Sequence, residues 1–447
     1  MAWTHSLREL ALAVGAAAPE SEAVFHSVST DTRTLAPGDV FFALRGERFD
    51  GNRFVAEAFA KGACAAVTNE ADPTGTCIVV KDPLHALQSF AACHRQRYSI
   101  PVFAVTGSCG KTMAKDLTAA VLASKHRVVK THSNLNNEIG CPLSLLCVGD
   151  DTQIMVVEMG ANHAGEIARL CEIARPTESA ITMIAPAHLE GFGSIERVAE
   201  AKAEIVAGLP EDGIFYVNVD DARCVKIAES HRGRCMFFGS AGDVTLRSCR
   251  FSEAGEMLLD IDPVGELRLP LVCRAHTTNV LLAVAVGITH DVTRFEEPLR
   301  EAIADSTRFR LLQVGPLEII DDTYNANPAS MAAALRTLAE RPGAGARMAV
   351  LGEMLELGDA AVELHQEVGR LAGGLGVAYL FACGPHAADM AAAARAAHVA
   401  HAEVFDEHEA IAEAVASVAR AGDKVLMKGS RGMRMERVIE ALQRRYS

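Results

Sequence analysis

The sequence feature that most restricts the fold is a glycine-rich turn between an apolar run and a helical run. Residues 102–105 are apolar and predict a buried strand, the segment Thr106-Gly107-Ser108-Cys109-Gly110-Lys111-Thr112 follows, and residues 111–124 have helical periodicity. In this order, backbone N–H groups and the positive end of the helix dipole face an anion. We therefore interpret residues 106–112 as a phosphate-binding loop, in which Lys111 contacts nucleotide phosphates and the Thr112 hydroxyl binds Mg²⁺. Val105 stands where the full motif has a glycine, so a chance turn leading into a helix is the alternative on this pattern alone.

The alternation of apolar and helical runs continues along the chain. Further strands are predicted at 154–157, 180–184 and 214–219, β-hairpins between about 244 and 272, and, after a helix from about 278, strands at 317–320, 348–351, 378–382 and 424–427. This alternation predicts an α/β fold with largely parallel sheets that helices cover on both faces. The 447 residues exceed one ordinary domain, and we predict three, at 1–82, 83–309 and 310–447. The last repeats the alternation as a second α/β domain but has no GxGxxG motif, which argues against an NAD site.

The composition excludes several classes of protein. The formal net charge is −14 at pH 7, so the chain has no overall basic field that would hold nucleic acid or an anionic membrane. No run approaches the roughly 20 apolar residues that a membrane span requires, and Arg8 and Glu9 interrupt the apolar part of the N-terminus, which argues against a signal peptide. The 12 cysteines include no CxxC pair, so reduced thiols are expected. We therefore predict a soluble, cytoplasmic protein. A monomer is expected, but the sequence leaves the oligomeric state open.

Three side chains outside the loop are candidates for the same chemistry. Glu158 ends the apolar run 154–157, and ligands of parallel sheets collect at the carboxyl ends of strands, where a carboxylate can bind Mg²⁺. His188 follows another predicted strand; a surface histidine is the alternative. Lys202 lies on the apolar stripe of a helix. Burying an ammonium without a partner costs free energy, so this side chain should be paired, neutralised or chemically modified. The alternatives are a solvated acid for Glu158 and, for Lys202, an ammonium that extends to the surface.

Motifs spread over nearly the whole chain resemble those of the Mur ligases. They are STDTR, PGDVFFAL and GERFDG, then TGSCGKT, NLNNEIG, VEMGAN and AHLEGFGS, and finally DDTYNANPASMAAAL, VLGEMLELG, LHQEVG and KGSRGMRME. The resemblance implies a UDP-sugar-binding domain, a central ATPase domain, and a C-terminal Rossmann-like domain that closes over the nucleotide. It also implies that ATP and Mg²⁺ serve to join D-alanyl-D-alanine to UDP-N-acetylmuramoyl-tripeptide through an acyl phosphate, in peptidoglycan synthesis. The third residue of the tripeptide is left open between lysine and diaminopimelate.

The same resemblance implies a set of site residues. The catalytic residues would be Lys111, Glu158, His188 and Lys202, and the metal ligands Thr112, Glu158, His188 and, if it carries a carbamate, Lys202. ATP would contact Thr106, Gly107, Ser108, Cys109, Gly110, Lys111, Thr112, Met113, Asn279, Arg310, Asp322, Tyr324 and Asn325. Substrate would contact Ser29, Thr30, Arg33, Arg45, Gly46, Phe49, Asp50, Gly51, Asn136, Asn137 and Asn327.

The sequence departs from the family pattern at two places. Met113 replaces the second threonine after Gly-Lys-Thr, and Ala275-His276 stands where the family has His-Asn. The interdomain arginine of the family matches either Arg308 or Arg310; we assign it to Arg310 in the set above, although the sequence does not separate the two.

Two other functions are compatible with the phosphate-binding loop. A nucleotide-switched binding protein would use the loop to change conformation, and a small-molecule kinase would stop at a phosphorylated product. Phosphate release that depends on both an acid and an amine would distinguish a ligase from both.

Overall fold

The computed structural model describes residues 3–46, 49–252, 255–306 and 308–447, which form four sheets that follow one another along the chain. The N-terminal part holds an antiparallel pair and a parallel four-stranded sheet. The strands are β1 (His5–Ser6), β2 (Val24–Phe25), β3 (Val28–Ser29), β4 (Val40–Phe42), β5 (Ala65–Thr68) and β6 (Cys77–Val79). The helices are α1 (Leu7–Ala13), α2 (Val55–Ala60) and α3 (Pro83–Arg95).

Helix α3 begins at the predicted boundary between the first two domains. Its start is defined by Asp82, whose side chain accepts from Leu84 N at 2.8 Å, and by a proline at the first helical position. Phe90 of α3 packs against Phe25 and Phe42, with ring centroids 5.7 and 6.5 Å apart. The helix thus covers the N-terminal sheet, and the boundary at residue 82 stays a prediction.

The middle of the chain forms a nine-stranded sheet in the order β15-β14-β13-β12-β11-β10-β7-β9-β8. Its strands are β7 (Val102–Thr106), β8 (Val128–Lys130), β9 (Ile154–Glu158), β10 (Glu178–Ile181), β11 (Ile214–Asn218), β12 (Arg234–Gly239), β13 (Val244–Phe251), β14 (Met257–Asp262) and β15 (Gly265–Leu269). The sheet is parallel from β8 to β13, and the predicted hairpins are the antiparallel strands β13 to β15. Its helices are α4 (Lys111–Ala123), α5 (Gly140–Leu145), α6 (Glu166–Ala174), α7 (Leu189–Phe192), α8 (Ile195–Ala207), α9 (Ala222–Ala228), α10 (Thr277–Thr289) and α11 (Glu296–Ala304).

The C-terminal part forms a six-stranded sheet in the order β16-β17-β21-β18-β19-β20, parallel except for β16. Its strands are β16 (Arg310–Val314), β17 (Leu317–Asp322), β18 (Arg347–Leu351), β19 (Tyr379–Cys383), β20 (His401–Phe405) and β21 (Lys424–Lys428). Its helices are α12 (Pro328–Glu340), α13 (Ala361–Gly374), α14 (Ala387–Ala396), α15 (His408–Val418) and α16 (Glu436–Tyr446). Short 3₁₀ helices lie at Gly51–Phe54, Arg274–His276, Gly358–Ala360 and Arg431–Met433.

Helices cover both faces of the central sheet, as predicted. Along β7, Val102 and Ala104 pack into the core that includes α6 and α8, whereas Phe103 and Val105 pack into the core that includes α4 and α10. Alternate residues of a strand point to opposite faces, and an apolar run without alternation is typical of such doubly covered strands. The α/β fold class is therefore confirmed.

One predicted strand is displaced. The apolar run at 180–184 suggests a strand there, but β10 ends at Ile181. The side-chain hydroxyl of Thr182 instead donates to the carbonyl of Cys109, so the chain turns toward the phosphate-binding loop. Among the described residues, no helix has the length and apolar composition to cross a membrane.

Candidate active site

A cavity of about 870 Å³ lies where the carboxyl ends of strands in the central sheet meet those of the C-terminal sheet. The central sheet contributes residues 108–112 of the phosphate-binding loop and Glu158 at the end of β9, whereas Thr106, the last residue of β7, and Gly107 are not among the lining residues. The C-terminal sheet contributes Asp322 at the end of β17 and Lys428 at the end of β21. We call this cavity the cleft.

The phosphate-binding loop requires glycine at two positions. Gly107 has φ 145°, and a Cβ there would lie 2.0 Å from Thr182 Oγ1. Gly110 has φ 82° at the start of α4, and a Cβ there would lie 2.8 Å from Asn279 Oδ1. Only glycine adopts these conformations without strain while leaving the backbone open to a phosphate. Lys111 donates to Gly107 O at 2.7 Å, so its ammonium lies over the loop.

Glu158 is buried beside the loop, 1% exposed. Its Oε1 accepts from Asn136 Nδ2 at 2.7 Å and from Thr112 Oγ1 at 3.3 Å. Its Oε2 is buried and has no hydrogen-bond partner among the described residues, while Lys115 Nζ lies 3.9 Å away. A buried carboxylate oxygen without a donor, next to a threonine hydroxyl, fits a hard divalent cation such as Mg²⁺.

Lys115 was not identified from the sequence. It lies one helical turn after Lys111 on α4, is 1% exposed, and donates to Ser133 O at 2.9 Å. Burial lowers the pKa of its ammonium, and the nearby carboxylates of Asp116 and Glu158 oppose that shift. The four-residue spacing from Lys111 is the sequence feature that could have indicated it, because residues four apart share a helix face.

Lys202 is buried on α8, 2% exposed, which confirms that it faces the core and excludes extension to the surface. Its Nζ lies 3.5 Å from the carbonyl oxygen of Ala161, a residue of the cleft wall, and 5.6 Å from the ring centroid of Phe192. Burial, with a further contribution from Lys111, lowers the pKa of Lys202 to about 7. A substantial part of this amine is therefore neutral at neutral pH.

His188 lines the cleft at the start of α7 and contacts the C-terminal part of the chain. Its Nδ1 is hydrogen-bonded to the Glu356 carboxylate. Burial lowers the pKa of His188, and Glu356 opposes that shift. Glu356 lies in the LGEMLELG segment but was not singled out from the sequence.

Residues at the end of β17 and immediately after it line the opposite wall of the cleft. They include Asp322, Tyr324, Asn325 and Asn327, all of which the family resemblance implied as binding residues. Lys428 is buried and donates to the Asp322 carboxylate and, at 2.8 Å, to Asn325 O. Burial raises the pKa of Asp322, and Lys428 opposes that shift. Lys428 was missed because only the folded sheet brings β21 beside β17.

Arg308, and not Arg310, lines the cleft. The Arg308 guanidinium stacks on the Tyr324 ring, 3.1 Å from its centroid, and its Nη2 lies 3.5 Å from Thr112 Oγ1. Arg310 instead donates to Asp321 Oδ2 at 2.7 Å, and its side chain is 49% exposed. Arg310 lies on β16, and its pairing with Asp321 of the adjacent strand β17 holds its side chain away from the phosphate-binding loop.

Asn327 joins the two walls of the cleft. Its side chain caps helix α12 by accepting from Ser330 N at 2.9 Å, and its Nδ2 lies 3.4 Å from Ser108 O and 3.1 Å from Cys109 Sγ. Burial raises the pKa of the Cys109 thiol, so that thiol stays protonated.

The remaining cleft residues of the predicted set are Met113, Asn137 and Asn279. Asn137 Oδ1 accepts from Gly140 N at 2.9 Å and so supports the turn into α5. His276, at the place where the sequence departs from the family, also lines the cleft, and burial lowers its pKa to about 4.

The eight predicted substrate residues of the N-terminal part are not among the described residues that line the cleft. Ser29 is buried and donates to Asp31 O at 2.9 Å, and Arg33 is 85% exposed and pairs with Asp31. The backbones of Arg45 and Asp50 form an isolated antiparallel β-bridge, and Arg45 Nε lies 3.9 Å from Asp50 Oδ2. The other members of this set are Thr30, Gly46, Phe49 and Gly51. Two further residues of the GERFDG motif, Glu47 and Arg48, lie outside the described residues.

A Cβ at Gly51 would lie 2.5 Å from Leu44 O, so this turn requires glycine for packing. Phe49, in the same turn, is 54% exposed. In the part of the chain that the structure describes, no three His, Cys, Asp or Glu side chains form a cluster able to hold a metal ion by themselves. A Mg²⁺ ion held by one carboxylate, a hydroxyl, phosphates and water does not need such a cluster.

Comparison with family models matches three segments of the chain. Residues 24–95 match the Mur ligase family catalytic domain, residues 105–287 the Mur ligase middle domain, and residues 307–431 the Mur ligase glutamate ligase domain. Among curated proteins, the chain is similar to UDP-N-acetylmuramoyl-tripeptide–D-alanyl-D-alanine ligases. It is 35% identical to that of Bacillus subtilis over 94% of both chains, and 36% identical to that of Escherichia coli over 93% of both.

Solved structures of the same kind superpose on the whole fold. MurF from Acinetobacter baumannii is 29% identical, with a TM-score of 0.89 and 99% of both chains covered. MurF ligase from Thermotoga maritima, solved in complex with ADP, is 30% identical, with a TM-score of 0.85, covering 94% of this chain and 97% of that one.

Proposed function

This chain belongs to the Mur ligase family, and we propose that it joins D-alanyl-D-alanine to UDP-N-acetylmuramoyl-tripeptide while ATP is cleaved to ADP and phosphate. The prediction of an ATP-dependent, ADP-forming ligase is thereby confirmed. The observation that carries the proposal is the cleft itself, in which a phosphate-binding loop and a buried carboxylate face a second sheet.

The chemistry requires activation of the acid. A carboxylate does not react with an amine in water because its oxygen is a poor leaving group, so the γ-phosphoryl group of ATP is first transferred to it, giving an acyl phosphate and ADP. The dipeptide amine then attacks the acyl carbon, and the phosphate leaves as the amide bond forms. An α-amino group has a pKa of ~8, so a useful fraction is already the neutral nucleophile at neutral pH, and its nitrogen releases one proton as the amide forms.

The loop side chains offset the charge of the reactants. Lys111, held over the loop by Gly107 O, is placed to neutralise phosphate charge as ATP and the carboxylate approach each other. Glu158 Oε2 and the Thr112 hydroxyl would hold Mg²⁺, and Asn136 orients the other oxygen of Glu158. When bound, Mg²⁺ supplies further neutralisation of the phosphate oxygens.

A second ion would be supported by His188 and Lys202. A neutral buried amine can add CO₂ to form a carbamate, with release of a proton, which would exchange a buried cation for an anion able to support a metal. The neutral fraction of Lys202 at pH 7 favours that reaction.

The C-terminal wall would bind the nucleotide and exclude water. Arg308, Asp322, Tyr324 and Asn325 are proposed to contact ATP, and Asn327 to hold the walls together while the acyl phosphate exists.

In the N-terminal part, we propose that the exposed turn around Phe49 and the neighbouring Ser29, Thr30, Arg33 and Arg45 form the UDP-sugar site. We also propose that the domains divide at residues 82 and 309. A cytoplasmic location is proposed as well, because all twelve cysteines are free and reduced thiols are typical of that compartment.

The decisive experiment measures ADP formation from UDP-N-acetylmuramoyl-tripeptide and ATP, with and without D-alanyl-D-alanine. A ligase releases ADP steadily only when both acid and amine are present, and Lys111→Met should stop that release. The matched control is Lys81→Met, which removes an exposed ammonium elsewhere. Steady ATP hydrolysis without either substrate would instead indicate a nucleotide switch, and a stable phosphorylated tripeptide would indicate a kinase.

A further inference from the structure

We propose that Glu356 is a positioning residue that fixes the tautomer of His188, and that it does so only while the C-terminal sheet is docked on the central sheet. This inference rests on the proposed function, because it assigns His188 to the catalytic cleft. It makes completion of the cleft depend on domain closure through one side-chain pair.

The hydrogen bond between the two side chains determines which ring nitrogen of His188 carries a proton. An ionised carboxylate only accepts hydrogen bonds, so Nδ1 of His188 must donate to Glu356. In the neutral ring, Nε2 is then the nitrogen with a free lone pair. A histidine that binds a metal through one nitrogen usually donates from the other to a carboxylate, and such partners set ring orientation and basicity.

The backbone around both residues supports this pairing. His188 and Glu356 adopt left-handed conformations, with φ 53° and 63°, that side chains other than glycine rarely adopt. Glu190 N donates to Glu356 O at 3.1 Å, so a main-chain hydrogen bond links the start of α7 to Glu356 in addition to the side-chain pair. Strain of this kind persists where the surrounding contacts over-determine it.

The segment that presents Glu356 is itself held by buried side chains. Met354 N donates to His365 Nε2 at 3.0 Å, and Leu355 N donates to Ser430 Oγ at 2.9 Å. Because His365 Nε2 accepts, its Nδ1 carries the proton and donates to Ala361 O at 2.7 Å. His365 is fully buried in the C-terminal sheet's own helix layer, so the position of Glu356 is set by that part of the chain.

The pair therefore links two separate sheets. His188 follows β10 of the central sheet, and Glu356 follows β18 of the C-terminal sheet. When the two sheets separate, His188 loses its acceptor and its neutral ring is free to exchange between tautomers. Binding of the nucleotide between the walls would restore the pair and with it the reactive arrangement.

The test compares Glu356→Ala and Glu356→Gln with the control Glu363→Gln. Glu363 is an exposed glutamate on α13, with no side-chain hydrogen bond or ion pair within the described residues, so its substitution makes the same charge change outside the cleft. Two quantities are measured: kcat and KM for ADP formation, and the ¹⁵N chemical shifts of histidine ring nitrogens in metal-free protein saturated with a non-hydrolysable ATP analogue, which holds the two sheets docked. His188→Gln identifies the His188 signals by their loss.

In the wild type and in Glu363→Gln, the shifts of His188 should show a proton on Nδ1. In Glu356→Ala they should show a mixture of tautomers, and kcat should fall about 10- to 100-fold, the usual effect of losing such a partner, with little change in KM for ATP. Glu356→Gln should restore part of both, since its amide oxygen still accepts from Nδ1.

The inference is overturned if Glu356→Ala keeps the Nδ1 proton, or if its kcat equals that of Glu363→Gln. Failure of the proposed function would look different. The wild type would then make no ADP with tripeptide and dipeptide, whereas the nitrogen shifts would still test the pair.

Discussion

At the scale of single residues, the buried amine of Lys202 shows how far a helix pattern can predict chemistry. Its position on the apolar stripe of α8 predicts burial, and burial is what lowers its pKa to about 7. The pattern does not predict that the carbonyl of Ala161 would be its hydrogen-bond partner, because that contact depends on the loop after β9.

Loss of Lys202 should be partly reversible by added acid. If its carbamate supports a metal, Lys202→Ala should lower kcat by about 10- to 100-fold, and formate or acetate should restore part of the lost rate by placing a carboxylate in the vacated space. Steady-state ADP release with increasing acid concentration is the measurement. The control is Lys115→Ala, which removes an equally buried ammonium and should not respond. Equal indifference of both variants to acid would reject the carbamate.

The two candidate arginines form a second matched pair. Arg308→Ala should lower kcat/KM for ATP about 10- to 100-fold, because it removes a partly buried, charged hydrogen-bond donor beside Thr112. Arg310→Ala removes an arginine that is half exposed and paired with Asp321, so the effect should stay within about 3-fold. Kinetics at varied ATP concentration distinguish them. A larger loss from Arg310→Ala would show that the family's interdomain arginine is Arg310 after all.

At the scale of secondary structure elements, most apolar runs of four or more residues coincide with strands, the run at 180–184 being an exception, and strands of two residues were not predicted. Strands β7, β9, β17 and β21 coincide closely with predicted runs. By contrast, β1, β2 and β3 have two residues each, too few for a periodicity to be visible. Such strands depend on their neighbours, and β1 in particular is held by contacts to α3.

The attachment of β1 to α3 uses two neutral histidines. His5 Nε2 lies 3.0 Å from His94 Nδ1, and His94 Nε2 donates to Val148 O at 2.8 Å. Burial lowers the pKa of both rings to about 4. The only tryptophan, Trp3, packs on them with ring centroids 5.1 and 5.0 Å away.

Acid should therefore weaken this attachment. Both histidines take up a proton near pH 6.5 in the unfolded chain but only near pH 4 in the folded protein. Their contribution to the free energy of unfolding is therefore complete above pH 6.5 and is lost as the pH decreases toward 4. His94→Gln should reduce that pH dependence by an amount on the order of 3 kcal/mol, since each pKa unit corresponds to about 1.4 kcal/mol. Urea unfolding followed by Trp3 fluorescence measures it, with the exposed His85→Gln as control. An unchanged pH dependence in His94→Gln would contradict the assignment.

At the scale of the whole molecule, the cleft depends on contacts between distant segments. Cys109 and Asn327 are 218 positions apart, and Arg308 and Thr112 are 196 apart. Sequence motifs predict which residues belong to each wall, as they do for Lys111 and Asp322. They do not predict pairs such as Asn327 with Cys109, because these exist only when two sheets dock in one orientation.

Nucleotide binding should therefore make the two sheets unfold together. A ligand held by Lys111 on one wall and Tyr324 on the other stabilises only the state in which both walls are folded and docked. In differential scanning calorimetry, a non-hydrolysable ATP analogue at about 100 times its Kd should add about 2.7 kcal/mol and merge the unfolding of the central and C-terminal parts into one transition. Lys111→Met should bind weakly and retain the unfolding profile of the protein without nucleotide. If the analogue raised one transition and left the other unchanged, the nucleotide would be bound by a single sheet, and closure of the cleft over ATP would have to be abandoned.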